Sequence, residues 1–322
     1  MIVFLLLNLV IFFVLLQPLF LWKYSYGKWK NYNEQEKIDI LILGNSHANR
    51  GIGPNRMVED FRKTYEEDIL VFSYPVDGTH IEQLYFLAYE LLKIHTPNLI
   101  VLETHTLSPM DEGRRETLAW RTFGILPLNK NKIEAIKYCV FDNHWSYYIP
   151  FIKYHTRWKE LSKEDFAIFS NTKDWFQEGL TTVADSYPDK ICSDPGDNWF
   201  TQDTSGINEL RELTPSGKEC LENLLVLLEE KEVSVIFVSV PYKEQTGLSS
   251  IEQIKINNYL KKYYVNNNTV QILDMNRMWK ELGFSYGDLY DEGHVNGYGA
   301  EKATNCLLQY LKTNYDIDFI KK

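Results

Sequence analysis

The sequence predicts an α/β fold in three layers, a five-stranded parallel sheet with helices on both faces. Two observations predict it. Short apolar runs, bounded by turn residues and rich in Val, Ile and Leu, recur along the chain and read as buried strands. Helical patterns alternate with them, which implies a parallel sheet covered on both sides.

The elements follow in order. Lys37–Leu43 (KIDILIL), closed by Gly44, is the first strand. Pro54–Tyr65 has helical spacing with Pro54 in the first turn. Ile69–Tyr74 is the second strand. Thr79–Ile94 is a helix with Leu84 and Leu91 in its stripe and Thr79 as cap. Asn98–Glu103 is the third strand, Gly217–Glu232 a helix and Val233–Val240 the fourth strand. Ile251–Tyr264 is helical, Thr269–Met275 is the fifth strand, and Tyr298–Tyr310 closes the chain as a helix. In such sheets the ligand site lies at the carboxyl ends of the strands. That rule singles out Gly44–Arg50, Tyr74–His80, Thr104–Thr106, Pro241–Tyr242 and Tyr286–Asn296.

Residues 106 to about 206 break the alternation and hold Trp120, Trp145, Trp158, Trp175 and Trp199, five of the eight tryptophans. Helical pieces lie at Lys132–Phe141 and around Trp145–Leu161. A stretch this long is a folded insertion or cap on the carboxyl-end face rather than a loop. Its aromatics either form its own core or line a sugar-binding cleft.

The N-terminus reads as a membrane anchor over residues 1–22. Ile2 to Trp22 is apolar except for Asn8 and Gln17. As a helix it would span roughly 31 Å, against a hydrocarbon core of about 30 Å. Bulky Leu19-Phe20-Leu21-Trp22 offers no small-residue cleavage site, so the segment reads as uncleaved. A buried core helix is the alternative, but such helices rarely run this long without a charge. Trp22, Tyr24, Tyr26 and Trp29 form an interfacial belt. Residues 23–36 are then a juxtamembrane linker, and 37–322 the folded domain. Lys23, Lys28 and Lys30 follow the anchor, and the positive-inside rule taken alone puts the domain in the cytoplasm.

Composition narrows the function. The 322 residues carry 34 Lys and Arg against 44 Asp and Glu, a net charge of −10. An acidic chain without a basic block lacks the footprint that nucleic acid requires, so no nucleic-acid partner is expected. Hydrophobic content of 44% excludes a mainly disordered chain. Cys139, Cys192, Cys220 and Cys306 are widely spaced, which excludes a disulfide scaffold. Burial as small apolar groups is their default, and a Cys139–Cys192 bridge requires a domain outside the cell.

Two local motifs carry chemistry. Leu43-Gly44-Asn45-Ser46-His47 follows the first strand, where a Ser at a strand-to-helix turn can expose Oγ and aim its own N–H at an oxyanion. Asp291-Glu292-Gly293-His294 precedes the last helix, with Asn296 and Gly299 beyond. Asp and His three apart in a tight turn can bond carboxylate to Nδ1 and leave Nε2 as a base. A solvated loop is the plain alternative for each. No further ligands stand at metal-like spacing, and neither a metal nor an organic cofactor is indicated.

Taken together, the two motifs resemble the SGNH/GDSL hydrolase superfamily, and more closely its membrane-anchored cell-envelope branch. Ile42-Leu43-Gly44-Asn45-Ser46-His47-Ala48 with Gly51-Ile52-Gly53-Pro54 is similar to the first block, with Asn45 where members typically have Asp. Ser73-Tyr74-Pro75-Val76-Asp77-Gly78 is similar to the second, and Asp291 to Gly299 to the last. Pro97 to Glu103 falls where the third block belongs, but Thr104-His105-Thr106 replaces its usual Gly-x-Asn-Asp. The resemblance covers roughly 37–105 and 233–312.

The resemblance implies a flavodoxin-like SGNH fold and a serine mechanism. Ser46 would be the nucleophile, His294 the base and then acid, and Asp291 the orienting carboxylate. The N–H groups of Ser46 and Gly78 would hold the oxyanion, with Thr104 or His105 as a side-chain donor or as ordinary strand-end residues. His47 reads as a supporting or surface residue. The implied activity is that of a membrane-anchored O-acyl esterase or O-acyltransferase, O-acetyl by expectation, on a cell-surface polysaccharide or envelope polymer. It would work beside a membrane-bound O-acyltransferase, with the domain outside the cytoplasm. A non-catalytic glycan-binding or assembly protein, and a lipid or small-ester hydrolase, are the competing readings.

Overall fold

Four of the five apolar runs become short strands buried along their whole length, and the fifth, Val270–Asp274, alternates between buried and half-buried positions. In the computed structural model these are β1 (Ile40–Gly44), β2 (Val71–Pro75), β3 (Leu99–Glu103), β4 (Ser234–Ser239) and β7 (Val270–Asp274). Two small antiparallel hairpins complete the strands, β5 (Glu244–Gln245) with β6 (Leu248–Ser249), and β8 (Leu289–Asp291) with β9 (His294–Val295). The structure describes residues 2–11, 19, 23–109, 112–148, 155–163, 165–166, 179–186, 191–193, 198–245, 247–266 and 269–321. They divide into two units, one of Met1–Gln35 with Asp111–Glu178 and one of Glu36–Met110 with Gly179–Lys322.

The second unit holds the expected five-stranded parallel sheet, in the order β2-β1-β3-β4-β7. This is the doubly wound, flavodoxin-like order, which changes direction beside β1 and opens a crevice at its carboxyl end. The register sets Gly44 opposite Pro75, and Glu103 opposite Val238. Around it run α1 (Ser46–Gly51), α2 (Pro54–Tyr65), α3 (Ile81–Ile94), α4 (Pro215–Glu230), α5 (Ser250–Tyr263), α6 (Gly297–Asn314) and α7 (Ile317–Lys321). Alternate strand residues Ile40, Ile42, Leu99, Val101, Ile236 and Val238 pack with Met57, Phe61, Ala303, Leu307 and Leu311 in one core. On the other faces of the strands Leu41, Leu43, Ile100, Leu102 and Phe237 are buried as well, so the sheet is covered on both sides.

Most boundaries shift by a few residues: the expected closing helix Tyr298–Tyr310 runs over Gly297–Asn314, with α7 beyond it. The first strand begins at Ile40; ahead of it Asp39 N donates to Leu70 O, Asp39 O accepts from Asn98 N, and the Asp39 carboxylate pairs with Lys37 at 2.6 Å and accepts from Leu70 N at 2.8 Å. Helix α3 begins at Ile81, and Thr79 does not cap it; its hydroxyl donates to Gln83 Oε1 at 3.1 Å. The insertion also ends earlier than residue 206. Residues from Gly179 onward belong to the sheet unit, where Gly179 O accepts from Ser73 N at 2.7 Å and closes the open edge of β2. Trp199 and Phe200 pack on Trp279 with ring centroids 6.3 and 5.4 Å apart, so Phe200 is core and the half-buried Trp199 packs against it.

The other unit is helical where described, with helices at Ile2–Val10, Lys23–Glu34, Glu112–Phe123, Lys130–Cys139 and His144–Tyr148. The expected linker is therefore largely helix. Trp145 and Trp158 are exposed, and Trp175 lies outside the described residues. Among the described residues no helix is long and apolar enough to cross a membrane. Ile2–Val10 rises only about 13 Å, while residues 12–18 and 20–22 of the expected anchor lie outside the described residues. The four cysteines are all thiols, and the Cys139–Cys192 bridge is not formed.

Candidate active site

Ser46 is placed by the sharp turn between β1 and α1. Asn45 makes that turn possible: its Oδ1 accepts from His47 N at 3.0 Å and caps the helix. Ser46 thus opens the helix at the carboxyl end of β1, half-buried.

Asp291 and His294 lie on the hairpin β8–β9, directly opposite one another across the two-residue loop Glu292-Gly293. Asp291 Oδ1 accepts from Gly293 N at 2.9 Å, which tightens the loop. Asn296 then pins the hairpin to α6. Its Oδ1 accepts from Tyr298 N and Gly299 N, and its Nδ2 donates to Gly287 O and Leu289 O.

The two segments meet. His294 Nδ1 is 2.9 Å from Asp291 Oδ1 and 3.2 Å from Oδ2, and His294 Nε2 is 2.8 Å from Ser46 Oγ. A carboxylate only accepts, so the ring proton sits on Nδ1 and Nε2 offers its lone pair to the serine hydroxyl. Partial burial pushes the Asp291 carboxyl up. The His294 hydrogen bond and charge and the Gly293 and His294 amides outweigh that and leave it below its ordinary value. Asp291 is therefore an anion at neutral pH and can steady an imidazolium. The arrangement can move a proton from Ser46 to His294 and back.

The structure also brings residues to the site that the sequence did not single out. Gln245, on β5, sets its Oε1 against His47 Nε2 and its Nε2 3.2 Å from His294 Nε2. Lys243 N and Glu244 N both donate to Glu292 O, which docks this segment on the β8–β9 hairpin. Gly293 is required there, because a Cβ would lie 2.8 Å from Gln245 Cβ. The one signal for Gln245 is its place just after β4, three residues beyond the strand-end segment Pro241–Tyr242.

Beneath the triad lies a buried ring cluster. His47 stacks on His105 with centroids 4.0 Å apart, Tyr242 meets both edge-on, and His294 is 5.2 Å from His47. Burial, then electrostatic coupling to the neighbouring His105 and His294 rings, drives the His47 pKa well down against a raising bond to Gln245, so His47 is neutral. Asn45 Nδ2 is 3.2 Å from His105 Nδ1. Since Asn45 Oδ1 must face the His47 N–H, Nδ2 donates and His105 Nδ1 accepts. The neutral His105 ring thus carries its proton on Nε2.

Gly78 stands in the loop after β2 with φ of 76°, a conformation that glycine adopts without strain. The loop is tied to the Ser46 turn: Val76 N donates to Gly44 O at 3.0 Å, and Asn49 Nδ2 to Asp77 Oδ1 at 3.3 Å. Thr104 and His105 lie on the short turn after β3, and both are buried. Thr104 Oγ1 accepts from Gln253 Nε2 at 3.1 Å, and the Nε2 of His105 is wholly enclosed. The turn that replaces the expected motif therefore points both side chains inward, where they support the site from below rather than face a ligand.

Fold and site define a class: a parallel α/β protein with a hydrogen-bonded Ser–His–Asp chain at the carboxyl ends of its strands. Beyond the class, no family model matches this chain and no curated protein matches it. Among the described residues no group of three or more His, Cys, Asp or Glu side chains is set to hold a metal ion.

Glu103 ends β3 beneath this cluster. Its Oε1 accepts from His105 N at 2.9 Å, and Oε2 has no hydrogen-bond partner among the described residues. Burial, opposed by that bond, pushes its carboxyl from an ordinary 4.5 up to about 8. Between those two values the folded state holds more protons than the unfolded state. Stability therefore falls as pH rises through this window and levels off above it. Glu103→Gln is neutral throughout, so its melting temperature relative to the native chain should climb steadily between pH 5 and pH 8 in thermal melts. A difference that does not change with pH would contradict a buried, protonated Glu103.

Proposed function

We propose that this chain is a serine O-acyl esterase or O-acyltransferase, O-acetyl by expectation, acting on a cell-surface polysaccharide or related envelope polymer. The observation that carries the reading is the hydrogen-bonded run Ser46–His294–Asp291, drawn from opposite ends of the sequence to one point. The resemblance of the blocks around Ser46, Gly78 and Asp291 to the SGNH/GDSL superfamily supports the same reading. The exposed aromatics Trp145 and Trp158 suit a carbohydrate polymer, on whose sugar faces flat rings stack.

The mechanism follows from the geometry. As Ser46 Oγ attacks the acyl carbonyl carbon, its proton passes to His294 Nε2. The anion of Asp291 stabilises the imidazolium. Negative charge collects on the carbonyl oxygen, where the N–H groups of Ser46 and Gly78 would meet it. Each such donor is worth about 3–4 kcal/mol of barrier. The alkoxide leaves with the proton from His294, and an acyl ester remains on Ser46. Water or a sugar hydroxyl then repeats the steps in reverse.

Membrane attachment belongs to the proposal. The helix Ile2–Val10 exposes Val3, Phe4, Leu5, Leu6, Leu7 and Leu9 all round its axis, an apolar surface suited to lipid. An anchor over residues 1–22 would hold the site close to acyl groups delivered across the bilayer by a membrane-bound O-acyltransferase, with the catalytic domain outside the cytoplasm. On this reading the full chain partitions with membranes and a chain beginning at residue 23 does not. Equal partitioning of both in cell fractionation would remove the anchor from the account.

A serine-directed fluorophosphonate tests the chemistry. The native chain should gain one adduct by intact mass, Ser46→Ala none, and Asp291→Asn should label about 10⁴-fold more slowly. A folded native chain that gains no adduct would instead favour the glycan-binding or assembly reading.

A further inference from the structure

His294 Nε2 has one lone pair, and two donors aim at it. Ser46 Oγ is 2.8 Å away and Gln245 Nε2 is 3.2 Å away. In the free enzyme the closer hydroxyl takes the bond and is activated. Acylation changes this. Once Ser46 Oγ carries the acyl group it is an ester oxygen and has no proton to give. The Gln245 amide is then the protein donor left beside Nε2.

That donor stands where the next nucleophile must stand. To attack the acyl-enzyme, an incoming O–H has to give its proton to the same lone pair. Gln245 does not drift aside without cost. Its Oε1 is held by the Nε2 of buried His47, its backbone is paired in the β5–β6 hairpin, and the docking of Lys243 and Glu244 on Glu292 fixes the hairpin against the triad. Nor is it locked in, because the side chain is only half-buried.

We infer that Gln245 decides the fate of the acyl-enzyme: its carboxamide holds His294 Nε2 against water and yields to a polyhydroxylated acceptor, so that acyl transfer outruns hydrolysis. The inference rests on the esterase or acyltransferase reading above and selects transfer within it. A water molecule that displaces the amide gains one hydrogen bond and loses one, with nothing else to offset the disruption. A sugar hydroxyl arrives with neighbouring hydroxyls and a ring that bind elsewhere, and that binding offsets the displacement. The step balances. The acceptor oxygen bonds to the acyl carbon while its proton goes to His294 Nε2. The bond from the acyl carbon to Ser46 Oγ then breaks, and Oγ takes the proton back. A sugar hydroxyl yields a new ester, and water yields the free acid.

The full chain is assayed with p-nitrophenyl acetate as acyl donor and methyl α-D-glucopyranoside as acceptor. The nitrophenolate burst reads acylation of Ser46, and chromatography of acetate and acetylated glucoside reads the partition. In Gln245→Ala the burst should persist while post-burst release of acetate rises about fivefold, the factor one net hydrogen bond sets. The share of acetyl reaching the glucoside should fall. Gln245→Met, which keeps the bulk without the donor, should move the same way, a gain of hydrolysis that damage to the hairpin would not produce. A burst followed by unchanged or slower acetate release in both variants overturns the role of Gln245 and leaves the serine mechanism standing. A rise in Ala but not in Met overturns it too, because bulk alone would then exclude water. A native chain with no burst overturns the serine mechanism and this inference together.

Discussion

One lone pair governs this site. His294 Nε2 can accept one strong hydrogen bond at a time, and the carboxylate of Asp291 leaves it no choice of tautomer, because it holds the ring proton on Nδ1. Every other feature arranges who reaches that lone pair. The turn at Asn45 delivers the serine hydroxyl, and the β5–β6 hairpin delivers the Gln245 amide. The neutral His47 sets which end of that amide faces the triad.

The scaffold meets this demand by making few residues do several tasks. Asn45 caps α1 and, through the same amide, sets the tautomer of His105. An Asp there would present only acceptor oxygens and would favour the opposite tautomer. Asn296 caps α6 and, through its other end, holds the turn that carries Asp291 and His294. The parallel register brings the ends of β1, β2 and β3 level, so the Ser46 turn, the Gly78 loop and the Thr104 turn share one edge. Burial first of all keeps the His47 ring beneath that edge neutral, while the anion of Asp291 faces His294.

Much of this was legible in the sequence, for a physical reason. Four of the five strands are short runs buried throughout, and buried parallel strands leave that mark. The triad was legible because each half is local: Ser46 at a strand-to-helix turn, and Asp291 with His294 at hairpin spacing. Features set by contacts distant in sequence were not. Gln245 reaches His294 through a two-stranded hairpin that leaves little pattern. Trp199 looked like part of an aromatic insertion, but it packs with Phe200 on Trp279, some eighty residues on. The end of the insertion was hidden for the same reason, since Gly179 joins the sheet unit by one backbone bond to the edge of β2. Thr104 and His105 sit where a donor motif was expected, but the turn directs them inward, and no local pattern encodes that direction.

The central claim is that Asp291 holds the His294 proton on Nδ1 and so frees Nε2 for Ser46. Proton NMR of the full chain in the downfield imidazole region tests it most directly, because it sees the proton itself without any substrate. One slowly exchanging Nδ1–H resonance is expected in the native chain and in Ser46→Ala. It should vanish in His294→Ala and in Asp291→Ala. If no resonance depends on both residues, the account of the site is wrong.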